Sequence, residues 1–168
     1  SETRLVRPAG GQERAVSVTE YSYVQPAPVA HPSLFRVGSV METDSTTGVR
    51  SVTSYTYDSL GHLLTRTAPD GTVTVYVWGY GGLYPVAAVS GTTLQAVRNV
   101  PALRSLRYGP IEGALSAESE SGLRAISGAE VTVWEYEPLV GLTRETGPDG
   151  TSVSYTYNAS GKLHEVLD

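Results

Sequence analysis

Catalysis needs nucleophiles, acid–base groups or ligands brought within reach of one another, and few residue types in this chain can supply them. His31, His62 and His164 are scattered, and none has histidine or carboxylate companions at metal-ligand spacing. Solvated turn and strand positions account for all three. Asp70 and Asp149 suggest a pair of carboxylates for acid–base work. Each, however, stands in a Pro-Asp-Gly triplet, Pro69-Asp70-Gly71 and Pro148-Asp149-Gly150, where a tight turn already explains the aspartate. Asp58 and Glu137 share one slot of a repeat, again at a turn, and Glu118 and Glu120 fit the solvated face of a helix. Gly79-Tyr80-Gly81-Gly82 lacks the third glycine and the following helix of a dinucleotide fingerprint, and neither a P-loop nor a Gly-x-Ser-x-Gly elbow is present. Asn158-Ala159-Ser160 fits a glycosylation sequon, although its turn explains Asn158. No catalytic, cofactor or metal site follows, and a non-enzyme is expected.

Aromatic rings offer a different chemistry. Eleven tyrosines and two tryptophans stand against one phenylalanine. Rings exposed on a sheet can stack on sugars, and Tyr76, Trp78, Tyr80 and Trp134 are the candidates for such a platform. Core packing or cross-strand ladders are the competing explanation for aromatics at strand period.

Composition narrows the rest. With no cysteine, disulfides, thiolate metal sites, cysteine nucleophiles and iron–sulfur clusters are excluded. A formal charge of −5 argues against nucleic acid or an anionic membrane as partner. No apolar run approaches the roughly 18 residues a membrane helix needs, so no membrane insertion is expected. The chain opens on Ser1 without a signal peptide, as an excised or processed piece would. Abundant Val, Thr, Ser and Tyr broken by 18 glycines and 10 prolines point to short strands joined by tight turns.

Those elements repeat. Tyr55–Trp78 and Trp134–Tyr157 align without a gap, and the aromatic pair returns 21 residues later in each copy. Tyr55 and Tyr57, Trp134 and Tyr136, and Tyr155 and Tyr157 are spaced to put two rings on one strand face. Asp58-x-x-Gly61 and Asn158-x-x-Gly161 then supply one turn, and Pro-Asp-Gly the next, with Gly71 and Gly150 expected at positive φ. Val140 stands where the turn glycine belongs in the Trp134 copy, so that turn is expected to be reshaped. Each unit is a hairpin, and stacked units place the aromatic pairs on one sheet face.

Between the copies, Thr92 or Thr93 is placed to cap a short helix carrying Leu94 and Val97, and a further turn carries Leu103 and Leu106. Leu115, Leu123 and Ile126 share a helical face ending at Gly128, while Gly122 interrupts it. A helical insert at about 92–127 covering part of the sheet is expected. The predicted fold is mainly β, antiparallel hairpin repeats forming a curved sheet, in one domain. Its parts are N-terminal hairpins and a first repeat (1–80), an insert (81–130), and second and partial third repeats (131–168).

Tyr-Thr-Tyr-Asp-x-x-Gly-x-Leu at 55–63, its partner at 155–163 and the Pro-Asp-Gly turns resemble the YD repeat of the Rhs/YD-repeat family, over about half of the chain. The stretches VWGYGGLYPVA and VTVWEYEPLVGLT are similar to a recurring part of long secreted bacterial members. That resemblance implies an extracellular or cell-surface spiral or shell of hairpins, some members enclosing a toxin and others suggested to bind carbohydrate. The Asp-Pro-x-Gly motif that ends toxin-bearing cores is absent. The function implied is a non-catalytic structural or interaction segment whose partners are neighbouring repeats. The alternatives are a carbohydrate-binding module and a cell-wall hydrolase. The last strand, with Lys162 as the chain's one lysine, is poorly protected and is expected to find a strand partner, including another copy of the chain.

Overall fold

A computed structural model describes residues 2–6, 14–26 and 34–168. The fold is mainly β and antiparallel, and it divides into two compact units, Ser1–Thr72 and Val73–Asp168. The first unit holds β1 (Glu2–Val6), β2 (Arg14–Val24), β3 (Arg36–Asp44), β4 (Arg50–Tyr57) and β5 (Leu63–Thr67), each paired with the next in the chain. The second holds β6 (Val73–Gly79), β7 (Tyr84–Ser90), β8 (Glu130–Glu137), β9 (Gly141–Thr146), β10 (Ser152–Tyr157) and β11 (Leu163–Leu167), paired in the same successive way. Within the repeats such a meander follows from the sequence, because two turn signals per repeat leave no chain for a crossover, while β7 and β8 pair antiparallel across the long connection between them.

The insert starts its helices where capping and apolar spacing place them, but residues 108–116 are not helical, and Leu115 and Ile126 flank the second helix instead of lying in it. Helix α1 (Leu94–Asn99) starts at Thr93, whose hydroxyl accepts the Ala96 N–H. A 3-10 segment follows at Pro101–Arg107, and α2 (Ala117–Arg124) starts at Ser116, which accepts the Ser119 N–H. Val97 and Leu123 are fully buried, and Leu94, Leu115 and Ile126 pack partly buried beside them. Val100 and Leu103 join them in the core. Gly122 is explained by contact: a Cβ there would stand 2.5 Å from Val100 Cγ1. The helix can approach only without a side chain.

The insert covers one face. Val75 and Val77 of β6, Ala87 and Val89 of β7, and Val131 and Val133 of β8 form the core with it. Side chains alternate along a strand, so Tyr76, Trp78 and Trp134 occupy the opposite face, where they are half-buried. The aromatics expected to share a face do so, on the side the helices leave open. Their direct cross-strand partners are not aromatic: Tyr76 faces Ala88, Trp134 faces Glu145, and Tyr155 faces Val166. The same holds in the first unit, where Tyr21 faces Val40 and Tyr55 faces Arg66. The repeat explains this, because it puts an aromatic pair on every second strand.

Among the described residues of the first unit, only Pro26, Gly38 and Thr65 are buried. The hydrophobic core among the described residues lies in the second unit. Opening free energy follows buried apolar contact. Amides of β2–β5 should therefore exchange with solvent faster than those of β6–β8. Equal protection across both sets in a native-state exchange experiment would contradict this. No helix among the described residues is long and apolar enough to cross a membrane.

Candidate interaction surface

Two of the hairpin turns share one set of bonds. Asp58 N–H donates to the His62 carbonyl at 3.0 Å, and Asp58 Oδ1 accepts from the Leu60 and His62 N–H groups at 3.0 and 2.9 Å. Asn158 makes the same set, with Lys162 O at 2.9 Å and the Ser160 and Lys162 N–H groups at 2.9 and 3.0 Å. Gly61 and Gly161 close both turns. His62 adds a contact of its own, Nδ1 to Asp58 Oδ2 at 2.7 Å. The equivalent turn closes without it around Lys162, so this Asp–His pair braces a turn that forms without it.

The Pro-Asp-Gly turns match as well. Thr72 N–H donates to Asp70 Oδ1 at 2.8 Å, and Thr151 donates to Asp149 Oδ1 through both its N–H (3.0 Å) and its hydroxyl (2.7 Å). Gly71 and Gly150 take φ of 86° and 85°, as their position in the turn requires. Nothing lies near either glycine that a side chain would strike. Gly→Val at either position should therefore cost over about 1 kcal/mol through backbone strain alone, read by thermal or urea unfolding. A smaller loss in both variants would sink that account.

These bonds favour the charged aspartates. The backbone N–H of Thr72 holds the Asp70 carboxyl below its usual value of 3.8, and the Thr151 hydroxyl followed by its N–H does so for Asp149. A carboxyl lowered in the folded state stabilises above its unfolded value, and that contribution disappears as pH falls through the folded one. The double variant Asp70→Asn, Asp149→Asn should leave stability at neutral pH nearly unchanged, since Asn158 shows that an amide serves a turn of this chain. Its loss of stability below about pH 4 should be shallower than that of the parent. Parallel acid limbs would refute the assignment.

Phenols lock the strands behind these turns. Tyr57 donates its hydroxyl to Val37 O at 2.8 Å, and Tyr157 donates to Leu142 O at 2.7 Å. Both acceptors lie on the preceding strand, directly across from the second ring of the previous aromatic pair, Tyr23 and Tyr136 respectively. A register shift precedes the second ring in every case: Tyr23, Tyr57, Trp78, Tyr136 and Tyr157. At Tyr23 and Tyr136 the bulge lies beside the carbonyl that the next phenol reaches. Burial pushes the Tyr57 phenol up, and burial followed by the Glu145 carboxylate pushes up that of Tyr136.

Three rings, those of Tyr80, Tyr84 and Tyr136, are in mutual contact. Tyr84 and Tyr136 stack with centroids 4.5 Å apart, and Tyr80 meets both edge-on at 5.7 and 6.1 Å. The Tyr80 hydroxyl donates to Tyr136 O (3.0 Å) and accepts from Tyr136 N–H (3.1 Å). The Tyr84 hydroxyl accepts from Leu139 N–H at 3.2 Å. Of the rings proposed as a sugar platform, Tyr80 is thus committed to the fold, while Tyr76, Trp78 and Trp134 lie on the open face.

Sequence reasoning missed Arg124. Its guanidinium donates to Glu120 Oε1 (2.8 Å) and to the carbonyls of Val131, Pro148 and Gly147 (3.2 Å each). It ties α2 to the Pro-Asp-Gly turn of the second copy. Glu120 is therefore half of an ion pair, not a solvated acid, whereas Glu118 is exposed as expected. His31 lies outside the described residues, and His164 is exposed on β11. Among the described residues, no three His, Asp or Glu side chains gather where a metal ion could sit. What the arrangement can do chemically is hold strands in register and present rings, turns and carboxylates. The chain matches no protein-family model, and no curated protein matches it.

Proposed function

We propose that the chain is a non-catalytic structural and interaction segment of a larger bacterial surface or secreted protein, of the kind the YD-repeat resemblance implies. The observation carrying this reading is the recurrence of the same turn bonds at Asp58 and Asn158, and again at Asp70 and Asp149. Recurring turns of one kind are what a stacked hairpin scaffold needs to carry its strands from repeat to repeat. Duplicating residues 134–154 immediately after Ser154 tests the idea. A repeat scaffold should accept the added 21 residues, gain strand signal by circular dichroism and keep cooperative unfolding. Loss of folding would defeat it. Protease accessibility on intact producing cells tests the surface location.

Edge pairing belongs to the same reading. All five residues of β11 are exposed, Leu163, Val166 and Leu167 among them. A neighbouring strand from a further repeat or a second copy would cover them. Concentration-dependent association by sedimentation supports this, and a strict monomer at millimolar protein opposes it. The second reading, a carbohydrate platform, is favoured by one observation: the insert leaves the Tyr76, Trp78 and Trp134 face open. A glycan array with no hits, or hits unaffected by Trp78→Ala and Trp134→Ala, would remove it.

A further inference from the structure

Asp58 and Asn158 spend their side chains on their own turns, as described above. Glu137 holds the same slot in the turn between β8 and β9 and does not. Pro138 has no N–H to offer it. The N–H of Leu139, equivalent to Leu60, goes to the Tyr84 hydroxyl at 3.2 Å instead. The turn closes by the Val140 N–H to Glu137 O bond at 3.0 Å, with Leu139 held at φ 66° and 94% exposed. A leucine in the left-handed region is strained, and the strain accompanies the release of one carboxylate from turn duty. The Glu137 carboxylate is exposed and has no hydrogen-bond or ion-pair partner among the described residues.

Glu137 lines a groove of about 410 Å³ with Val140, Thr143, Tyr155, Tyr157 and Asn158. The Tyr157 ring is fixed there through its bond to Leu142 O. Tyr155 is half-buried, and its hydroxyl has no partner among the described residues. Arg144, the cation on the neighbouring strand, is already engaged by Glu135 at 3.7 Å and Ser152 at 3.0 Å. The groove thus offers a free negative charge, tyrosine rings and an aliphatic wall. An anionic ligand would be repelled, and a bare metal ion would find a single carboxylate.

We propose that this groove binds the ammonium or guanidinium group of a lysine or arginine side chain presented by a partner protein. Glu137 takes the charge, the rings of Tyr155 and Tyr157 attract the cation and cover its alkyl stem, and Val140 closes the side. The proposal goes beyond the scaffold reading and does not depend on it.

Trilysine and triarginine, titrated into the isotopically labelled protein at low ionic strength, test the assignment by amide shifts. Shifts should concentrate in 137–143 and 155–161. Glu137→Gln should weaken binding about tenfold while leaving the melting temperature unchanged, because this side chain makes no bond in its turn. Glu130→Gln, at the far end of β8, should leave binding as it was. Trilysine with acetylated side chains should not bind. Absence of shifts in the groove, shifts spread over the whole surface, equal weakening by Glu130→Gln, or binding of the acetylated peptide would each overturn the proposal.

Discussion

Leu103→Ala should remove about 2–5 kcal/mol of stability, read by urea unfolding. Leu103 is fully buried in the 3-10 segment of the insert, among valines of β6, β7 and β8. Truncation loses the transfer free energy of the side chain and leaves a cavity that neighbouring β-branched residues, stiff at χ1, fill poorly. Set against the roughly 5–15 kcal/mol that holds a typical domain together, this is a large share. Leu103→Met preserves volume and should cost less than about 1.5 kcal/mol, which separates cavity formation from a general intolerance of change. A loss below about 1 kcal/mol for the alanine variant would show that the insert does not seal the valine face.

What was legible in the sequence was what is decided locally. Asp58, Asn158 and the two Pro-Asp-Gly triplets specify their turns through bonds that span two to four residues, so residue type and spacing sufficed. The helices of the insert announced themselves by Thr93 and by the spacing of Val97 and Leu123. Gly122 argued against α2 in the sequence because a glycine weakens an isolated helix. The close approach of Val100 that makes it necessary appears only once the chain is folded. Arg124 was invisible for the same reason, since its acceptors are carbonyls at 131, 147 and 148, and a carbonyl leaves no mark in a sequence. The side of the sheet that the insert covers was also hidden. Alternation at Val75-Tyr76-Val77-Trp78 shows two faces, one aliphatic and one aromatic, and both are apolar enough to be buried. Glu137 could have been noticed earlier, as an acid one methylene too long for its slot with a proline behind it.

The Tyr80 hydroxyl should carry a stability effect out of proportion to one atom. It both donates to and accepts from the backbone of Tyr136, at 3.0 and 3.1 Å, acting where a neighbouring strand would otherwise supply the partner. The last paired positions of β7 and β8 are Ala87 and Val133, so the β8 backbone at Tyr136 lies beyond that ladder. Tyr80 itself sits at φ 52°, an uncommon conformation for a tyrosine, which the surrounding contacts must sustain. Tyr80→Phe keeps the ring and its edge-on packing against Tyr84 and Tyr136, and leaves one N–H and one C=O of Tyr136 without this partner. Each such group, where half-buried, costs about 1–3 kcal/mol if nothing replaces it, so a loss of about 2–4 kcal/mol is expected. Tyr57→Phe and Tyr157→Phe each remove a single donor to a single carbonyl and should cost about 1 kcal/mol. The order of the three variants in urea unfolding is the decisive measurement. If Tyr80→Phe falls level with the other two, water replaces the phenol at Tyr136, and the hydroxyl does not serve there as a substitute strand.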